Sequence, residues 1–312
     1  MLLCTVLGAI TYKLRTDSIF GCPADGYEPD QYLAYCHAAD YGDYDRGAFW
    51  FDLEPDARRM AVDAEVLFLG SSRMQFAFST SATDKWFSAA AASYYLLGFT
   101  ATENALFAAP LLSRLKPRTR VYVINVDRFF DNRETPLARE ILRDDGTLTR
   151  YREKRFWQVL HKRVCAALPA TCGNHFAYFR FRETGAWQYR GWDKIWASRP
   201  KTVADGPNSD RDHREQHPIV GAKFLAQLPV ERRCVLLTLV PSAMAGTTTR
   251  AEAAAIAAAL GLDLVAPQLD GLQTFDGSHL DRPSAERWAG AFFQMAGPRI
   301  RECLDAAKSA SR

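Results

Sequence analysis

The chain has 312 residues, of which 48% are hydrophobic and 24% charged, and its formal net charge is +3. This apolar fraction and balanced charge exclude a disordered chain, and a pI near 8.4 gives no electrostatic indication of nucleic-acid binding. No short period repeats along the chain, which argues against a solenoid or a coiled coil. A chain of this length buries about three-quarters of its unfolded surface, so its stability requires neither a metal nor disulfides.

The N-terminus begins with twelve uncharged residues, MLLCTVLGAITY, which are followed by Lys13 and Arg15. Twelve residues are too few to cross a bilayer, which needs about 20, and no basic residues precede them as they would in a signal peptide. Two interpretations stay open, the end of a signal-anchor and a buried first helix, and the turn-forming residues that follow favour the anchor. We therefore predict an anchor remnant at residues 1–20 and a single domain at residues 21–312.

Seven cysteines occur, and none has the CxxC or paired Cys/His spacing of a zinc site. Cys22 with Cys36, and Cys165 with Cys172, could each close a disulfide in an exported protein, whereas a reducing cytosol would leave all seven as thiols. Cys234 stands in an apolar run, which predicts a buried thiol. We favour export.

Several short apolar runs end at turn-forming residues, which is the pattern of buried parallel strands. In chain order these predicted strands cover residues 65–69, 93–97, 120–126, 234–240 and 262–265. Helices are predicted from Thr102 through Leu115, from Arg250 to Leu260, and from near Pro283 to about Met295. Strands that alternate with helices predict an α/β fold in which right-handed crossovers cover both faces of a parallel sheet. In such folds ligands bind at the carboxyl ends of the strands.

A long interruption, about residues 128–233, separates the third predicted strand from the fourth. Within it, residues 151–200 hold 11 aromatic residues and ten Lys or Arg against three Asp or Glu, a formal charge of +7 that leaves the rest of the chain at −4. Aromatic rings beside arginines suit stacking on sugars, so Trp187 and Trp192 are predicted to contact an anionic polysaccharide. A small subdomain whose basic outer face lies against anionic lipid fits equally well, and nucleic acid is not an expected partner.

Residues that could carry chemistry follow the first predicted strand and precede the last helix. Ser72 stands at the first strand-to-helix turn, where a helix N-terminus favours developing negative charge. Asp276 and His279 have the spacing at which a carboxylate can orient an imidazole that takes the serine proton. We therefore predict Ser72 as the nucleophile, His279 as the general base and Asp276 as its partner. Backbone N–H groups of Ser72 and Gly98 are predicted to stabilise the oxyanion.

These residues resemble the dispersed blocks of the SGNH (GDSL-type) hydrolase superfamily, namely LGSSR at 69–73, LLG at 96–98, VINVD at 123–127 and DGSH at 276–279. The resemblance implies a flavodoxin-like three-layer α/β/α fold, ester chemistry and the same triad. GSSR in place of GDS is similar to the envelope-facing branch of the family. That branch implies action on a polysaccharide or oligosaccharide in the periplasm or at the periplasmic face of the bacterial inner membrane, and it allows a membrane acyl-donor partner.

The third block departs from the family pattern, Gly-x-Asn-Asp, in which the Asn side chain stabilises the oxyanion. Asn125 is the predicted third donor, although it falls inside the strand, and Asn132 is the other candidate. Asp127 ends the strand as a hydrogen-bond acceptor. Asp127 and Arg73 are predicted either to contact substrate or to join an ion pair, Asp127 with Arg73 or with Arg128.

A second Asp-x-x-His motif, Asp210 to His213, lies in a turn-rich stretch. It suits the catalytic role less well than Asp276 and His279, which directly precede a terminal helix. On a helix, His213 and His217 would share one face and could ligate a metal with a nearby carboxylate. We favour a solvated charged loop, and we expect neither a metal nor a cofactor.

The predicted function is serine-dependent acyl transfer or hydrolysis on a cell-envelope polysaccharide. Because the same triad serves esterases and transferases, both reactions stay open. The alternative is a non-catalytic, carbohydrate-binding assembly factor on a degenerate hydrolase fold, which the unusual third block supports.

Overall fold

The structure is a computed structural model that describes residues 19–23, 27–37, 43–100, 103–143, 146–190, 201–202, 217–244 and 246–310, together with Gly8. Almost all of the predicted anchor, and Trp192, lie outside these ranges. Within them, no helix combines the length and the apolar character that crossing a membrane requires.

The described residues form ten strands and ten α-helices. The strands are β1 (Gln31–Cys36), β2 (Val66–Ser71), β3 (Tyr94–Phe99), β4 (Val121–Asn125), β5 (Ala177–Phe181), β6 (Trp187–Arg190), β7 (Lys201–Thr202), β8 (Val235–Thr238), β9 (Asp263–Leu264) and β10 (Gln273–Thr274). The helices are α1 (Asp45–Trp50), α2 (Pro55–Asp63), α3 (Ser72–Phe78), α4 (Ser81–Ala90), α5 (Ala105–Leu115), α6 (Pro136–Arg143), α7 (Thr147–Ala167), α8 (His217–Leu225), α9 (Arg250–Leu260) and α10 (Arg282–Ala310).

Five parallel strands form the central sheet in the order β3-β2-β4-β8-β9. Counted along the chain, these core strands run 2-1-3-4-5, an order found in flavodoxin-like doubly wound sheets. The predicted α/β fold with a parallel sheet is confirmed, and all five predicted strands occur, although the last is reduced to two residues. The strand order reverses between β2 and β4, and the crevice at that point is where such sheets bind ligands.

Alternate side chains of the central strands enter two separate hydrophobic cores. Leu67 and Leu69 of β2 pack with α2, α5, α8 and α9 on one face of the sheet. Val66 and Phe68 pack with α3, α4 and α10 on the other. All six residues of β2 are buried, and a strand covered on both faces has a continuous apolar sequence, which is why this strand can be recognised from the sequence.

Local sequence sets the ends of two helices that flank the sheet. α9 begins with a capping box, in which the Thr249 side chain accepts from the backbone of Glu252 and the Glu252 side chain accepts from the backbone of Thr249. It ends at a left-handed glycine, and its bounds match the prediction. The prediction that Thr102 caps α5 is wrong, because Asn104 is the N-cap and its side chain accepts a backbone N–H of the first turn. α10 extends well beyond its predicted end, to residue 310.

The interruption between β4 and β8 is divided between two parts of the fold. Its hairpin β5–β6 pairs with β1, which precedes the central sheet, and together they form an antiparallel sheet in the order β1-β5-β6. α7 lies against this small sheet, where the Gln158 side chain donates to the Leu33 carbonyl at 2.9 Å. α8 packs through Phe224 with the helices of the central sheet, so part of the predicted insertion serves as a crossover helix.

Arg180 of β5 joins the small sheet to the edge of the central sheet. Its fully buried guanidinium binds the Asp45 carboxylate at 2.6 and 2.9 Å. It also donates to the carbonyl groups of Leu96 and Gly98, and the Leu96 N–H donates to the Thr184 carbonyl at 2.8 Å. Polar groups along the outer edge of β3 are thereby paired, and the same contact fixes Gly98, a predicted site residue.

Three disulfides join the six cysteines that the structure describes. Cys22–Cys36 and Cys165–Cys172 are the two predicted pairs, and both are confirmed. The prediction of a buried thiol at Cys234 is wrong, because Cys234 is bonded to Cys303 of α10, 69 residues away, with 5.7 Å between the Cα atoms. This third disulfide ties the start of β8 to the C-terminal helix.

Candidate active site

Ser72 is the first residue of α3 and directly follows the end of β2 at Ser71. Ser71 is the N-cap of this helix, and its side chain forms no capping hydrogen bond. The Ser72 hydroxyl is not used as a cap either, because its oxygen lies 2.8 Å from Nε2 of His279. The predicted nucleophile therefore lies at the carboxyl end of β2, where the strand order reverses.

Two glycines allow α3 and the strands to approach one another next to Ser72. A Cβ atom at Gly98 would lie 2.7 Å from Met74 and 2.9 Å from the Gly70 carbonyl oxygen, which is closer than non-bonded atoms allow. A Cβ atom at Gly70 would lie 3.0 Å from the Cβ atom of Asn125. Close packing therefore requires glycine both before the two serines and near the end of the neighbouring strand.

The three predicted catalytic side chains form one hydrogen-bonded chain. Nε2 of His279 lies 2.8 Å from the Ser72 hydroxyl oxygen, 207 residues away in sequence, and Nδ1 lies 2.6 Å from Oδ2 of Asp276. These contacts fit the tautomer in which Nδ1–H donates to Asp276 and Nε2 accepts from the serine O–H. In this arrangement the imidazole can take the proton of Ser72 while Asp276 stabilises the resulting imidazolium.

A tight turn holds Asp276 against His279. Oδ1 of Asp276 accepts the backbone N–H groups of Ser278 and His279, each at 2.8 Å, and Gly277 adopts a φ of +86° between them. Burial raises the pKa of Asp276, but hydrogen bonds and charge from His279, with the backbone donors, outweigh burial and hold this pKa below its ordinary value. Asp276 is therefore ionised at neutral pH, and Oδ2 stays directed to the imidazole.

Arg73 binds the turn that carries His279. Its buried guanidinium forms an ion pair with Asp127 and donates to the Ser278 hydroxyl at 2.9 Å. The other oxygen of Asp127 accepts the Thr248 backbone N–H at 3.0 Å. Of the two roles considered for Arg73 and Asp127, the ion pair is present. Both side chains are engaged inside the protein, and we assign them to positioning the turn.

Asn125 is the last residue of β4 and is fully buried. Its Oδ1 accepts the Val240 backbone N–H at 3.0 Å, which leaves the Nδ2 amide as the remaining donor. Among the described residues, no group accepts a hydrogen bond from this Nδ2. Asn125 packs beside Gly70, and Gly70 precedes Ser72 by two residues in the chain. Asn132 lies in the loop between β4 and α6.

Two phenylalanine rings flank the His279 imidazole. The ring centroid of Phe76 lies 4.8 Å from that of His279. Phe275 lies 5.5 Å away on a nearly parallel plane, at an interplanar angle of 19°. These contacts restrict the orientations that the imidazole can adopt, in addition to its hydrogen bond with Asp276.

Trp187 packs against Phe76, one of these two rings, and does not face solvent. Its side chain is 4% exposed, stacks on Tyr178 with 4.7 Å between the centroids, and packs against Phe76 at 5.8 Å. An indole buried to this extent has no open face for a sugar ring, so the prediction of a substrate contact at Trp187 is wrong. The reason is that its neighbours in β5 and α3 are themselves aromatic. The matching prediction for Trp192 lies outside the described residues.

A cavity of about 560 Å³ opens at the carboxyl ends of β8 and β9, and none of the three triad residues lines it. Its polar lining includes Thr202, Ser242, Thr247, Thr248, Gln268 and Asp270. Ser242 donates to the Gly277 carbonyl at 3.2 Å, and the Ala243 N–H donates to the same oxygen at 3.0 Å. The cavity wall therefore contacts the turn between Asp276 and His279, and its volume is typical of small-molecule sites.

Two groups in the described part of the chain have metal-ligand residue types. His217 lies 3.1 Å from Asp131, and His213, its predicted partner, is outside the described residues. His161 lies within 4.8 Å of Cys165–Cys172. Those two sulfurs form a disulfide, so they cannot act as thiolate ligands.

Three residues of the site were not expected from the sequence, namely Phe76, Phe275 and Ser278. Phe76 is four residues after Ser72 on α3, which places both on one helix face, and this spacing is a signal that could have identified it. Phe275 and Ser278 belong to the turn of the triad, but their contacts with other elements have no signature in the sequence.

Comparison of the chain with family models, with curated proteins and with solved structures finds no match in any of the three. The interpretation of the site therefore depends on its geometry. That geometry joins a serine, an imidazole and an ionised carboxylate in hydrogen-bonding order, on a turn that contacts the wall of a polar cavity.

Proposed function

We propose that the protein is a serine-dependent acyl-ester enzyme related to the SGNH hydrolases. The observation that carries this proposal is the pair of short contacts, 2.8 Å from Ser72 to His279 and 2.6 Å from His279 to Asp276. The strand order of the central sheet supports a flavodoxin-like fold of this type, as does the position of the serine at the reversal point.

Each proton in the proposed reaction passes through His279. The Ser72 hydroxyl oxygen attacks the acyl carbonyl carbon while its proton moves to Nε2 of His279. The protonated imidazole then gives this proton to the departing alcohol oxygen, which leaves an acyl group on Ser72. Water or a sugar hydroxyl next loses its proton to His279 and attacks the acyl group, and Ser72 leaves with the returned proton.

Negative charge on the tetrahedral oxygen needs donors that are already in place. Backbone N–H groups at Ser72 and Gly98 are the proposed first two donors. The Nδ2 of Asn125, which has no acceptor among the described residues, is the proposed third. Because the Asn125 side chain is fully buried, its contact with the oxyanion requires the surrounding residues to move when substrate binds. Arg180 supports this arrangement because it holds the Gly98 carbonyl and so restrains the strand that supplies the second donor.

The substrate that we propose is an O-acylated polysaccharide or oligosaccharide. The polar cavity at the carboxyl ends of β8 and β9 is large enough for a small ligand and presents hydroxyl, amide and carboxylate groups, which suit sugar hydroxyls. A loop of this wall contacts the turn of His279, so the cavity is joined to the catalytic turn through Ser242. Hydrolysis and transfer to a sugar are both compatible with this arrangement.

The three disulfides support export to an oxidising compartment, which we take to be the bacterial periplasm. Cytosolic proteins are usually kept reduced, and six of six described cysteines are paired here. A membrane-bound acyl donor is compatible with this location.

A time course with an O-acetylated oligosaccharide and an unacetylated acceptor tests the proposal. Release of acetate alone would identify an esterase, and an acetylated acceptor would identify a transferase. Both activities are expected to disappear in Ser72→Ala and to persist in Ser71→Ala, the matched control, because the hydroxyl that lies at hydrogen-bonding distance from His279 belongs to Ser72 and the Ser71 side chain does not cap α3. Equal turnover by Ser72→Ala and the wild type would overturn the proposal.

The same experiment separates the enzyme from a non-catalytic assembly factor. If the folded wild type turns over no acyl ester but binds the unacetylated oligosaccharide in calorimetry, the carbohydrate-binding alternative is correct. Binding that is unchanged by Ser72→Ala would fit that alternative, since the serine would then have no chemical role.

A further inference from the structure

The outer face of α7 carries exposed apolar side chains that no described part of the chain covers. Phe156 is 61% exposed and Val159 is 46% exposed, and Leu168, directly after the helix, is 59% exposed. Three of the six large apolar residues that are exposed in the described part of the chain therefore lie on this one element or at its end. Single exposed apolar residues are ordinary on a protein surface, but a group on one helix face indicates an interaction site.

The helix carries apolar residues on both of its sides. Its inward side buries Thr147, Tyr151, Gln158, His161 and Cys165, of which Tyr151 belongs to the main hydrophobic core. Phe156 and Val159 are three residues apart and share the outward side, so these two apolar residues face away from the core. A surface helix ordinarily directs its apolar residues to the core, so the outward pair indicates a partner on the outside.

Cations surround these apolar side chains. Arg152, Arg155, Lys162 and Arg163 are all exposed on α7. Arg152 and Arg163 are placed one turn before Phe156 and one turn after Val159, so a basic residue stands at each end of the apolar pair. Glu153 is the one acidic residue between Arg152 and Arg163, and the face is strongly cationic. Apolar side chains within a basic helix face are the pattern of helices that lie in a membrane interface.

The chain also enters the described domain next to this helix. Phe20 stacks on His161 of α7, with 5.9 Å between the ring centroids. The Gly21 carbonyl accepts the His175 backbone N–H at 2.9 Å, just beyond Cys165–Cys172, the disulfide at the end of α7. The uncharged apolar sequence of residues 1–12 therefore precedes a point that is fixed beside α7.

We propose that the outer face of α7 docks on an anionic lipid surface. Phe156 and Val159 enter the boundary between headgroups and acyl chains, while the surrounding arginines and Lys162 bind lipid phosphates. Charge complementarity selects an anionic surface, and the exposed apolar residues select a membrane over a soluble polyanion, which would need only the cations. The inference does not depend on the chemistry of Ser72.

Vesicle sedimentation of the full chain tests this docking surface. The vesicles contain either phosphatidylcholine alone or phosphatidylcholine with about one-third phosphatidylglycerol. Two double variants remove the two components of the face separately, Phe156→Ser with Val159→Ser and Arg152→Gln with Arg163→Gln. Each is expected to lower partition into the anionic vesicles by about tenfold or more. For the arginine variant the reason is that one cation at such a surface contributes about fivefold, and two are removed. For the serine variant the reason is that two apolar side chains no longer enter the membrane interface.

The matched control removes equally exposed apolar residues from other helices. Ile219→Ser with Met295→Ser, at positions 57% and 56% exposed, should leave partition unchanged. Residues 1–18 are the same in every variant, so they contribute equally to each measurement. Equal partition of the control and the Phe156→Ser, Val159→Ser variant would overturn the proposal, as would equal binding of the wild type to both vesicle types.

Photo-crosslinking locates the contact independently of the N-terminus. Benzoylphenylalanine in place of Phe156 should form lipid adducts on the anionic vesicles, whereas the same probe in place of Ile219 should not. Absence of adducts at position 156 would contradict the docking geometry. If soluble dextran sulfate binds the wild type, loses affinity for Arg152→Gln with Arg163→Gln, and position 156 gives no lipid adduct, the occupant is a polyanion and not a membrane.

Discussion

The carboxyl edge of the central sheet and the segment 147–190 use the same residue types in opposite ways. At the sheet edge, Arg73 is buried in an ion pair and braces the catalytic turn. In the segment, Arg163 is exposed on the outer face of α7. The exposure of aromatic residues differs even within the segment, because Trp187 is buried against Phe76 whereas Phe156 faces outward.

The composition of a segment therefore indicates that it has a binding or structural role, but it does not indicate which of its side chains are buried and which face outward. Segment 147–190 has one side that supports the active site and another that is available to a partner. The sheet edge has a single convergent set of polar groups. We therefore expect changes at the sheet edge to alter chemistry, and changes in the segment to alter either stability or surface binding, according to the side changed.

The largest expected effect is on the chemistry of the sheet edge. Asp276→Asn should lower kcat for ester hydrolysis about 10⁴-fold, because the neutral amide neither stabilises the imidazolium nor fixes the correct tautomer. The amide retains one oxygen that can accept the backbone N–H groups of Ser278 and His279, so the turn should persist. Steady-state kinetics and a circular dichroism spectrum check this. A kcat within tenfold of the wild type would show that Asp276 is structural.

Within segment 147–190, the inward and outward aromatics should differ in stability. Trp187→Ala should lower the free energy of unfolding by about 3–5 kcal/mol, because it opens a cavity behind Phe76. Phe156→Ala, on the outer face of α7, should change it by less than about 0.5 kcal/mol. Urea denaturation of both variants measures the difference. Equal losses would contradict the separation of the two sides.

The disulfides of the two regions should also contribute unequally. Cys234–Cys303 spans 69 residues and Cys165–Cys172 spans 7, so a chain-entropy model assigns about 4 and about 2.5 kcal/mol to them. Replacing both cysteines of one pair by serine should therefore destabilise the central fold more than the segment. Denaturation under oxidising conditions gives the two values. A larger loss from the Cys165–Cys172 pair would reverse the expected order.

The smallest expected effect is a pH dependence of stability at the sheet edge. The pKa of Asp276 is lower in the folded protein than in the unfolded chain, where an Asp carboxyl has a pKa of about 4. The Asp276 carboxylate therefore stabilises the fold at pH values above this unfolded pKa. This contribution is lost as the pH falls through the lower folded value. The difference in Tm between the wild type and Asp276→Asn should therefore be constant near neutral pH and shrink below about pH 4. A difference that grows on acidification would mean the opposite pKa shift.

Much of the central fold and the triad could be predicted from the sequence. β2 and β4 are buried on both faces, so their apolar runs are continuous and end at clear turn residues. Ser72 and the Asp276–His279 pair are each local patterns attached to such an element. Their spatial contact follows from topology, because residues at the carboxyl ends of parallel strands meet at one edge of the sheet.

The remaining features depend on contacts between distant parts of the chain. The ion pair of Arg73 with Asp127 and the disulfide of Cys234 with Cys303 are partner choices that no local spacing specifies. Trp187 was open to two interpretations for the same reason, since burial by Tyr178 and Phe76 is decided by packing. The side of α7 that faces outward likewise became evident only from exposure in the fold.

Covalent labelling by a fluorophosphonate reports an activated serine without knowledge of the substrate. Intact mass should show one adduct on the wild type and on Ser71→Ala, and none on Ser72→Ala. His279→Ala should label far more slowly, since the general base is removed while the serine remains. A folded wild type that takes no adduct, or a Ser72→Ala variant that labels as fast as the wild type, would contradict the account.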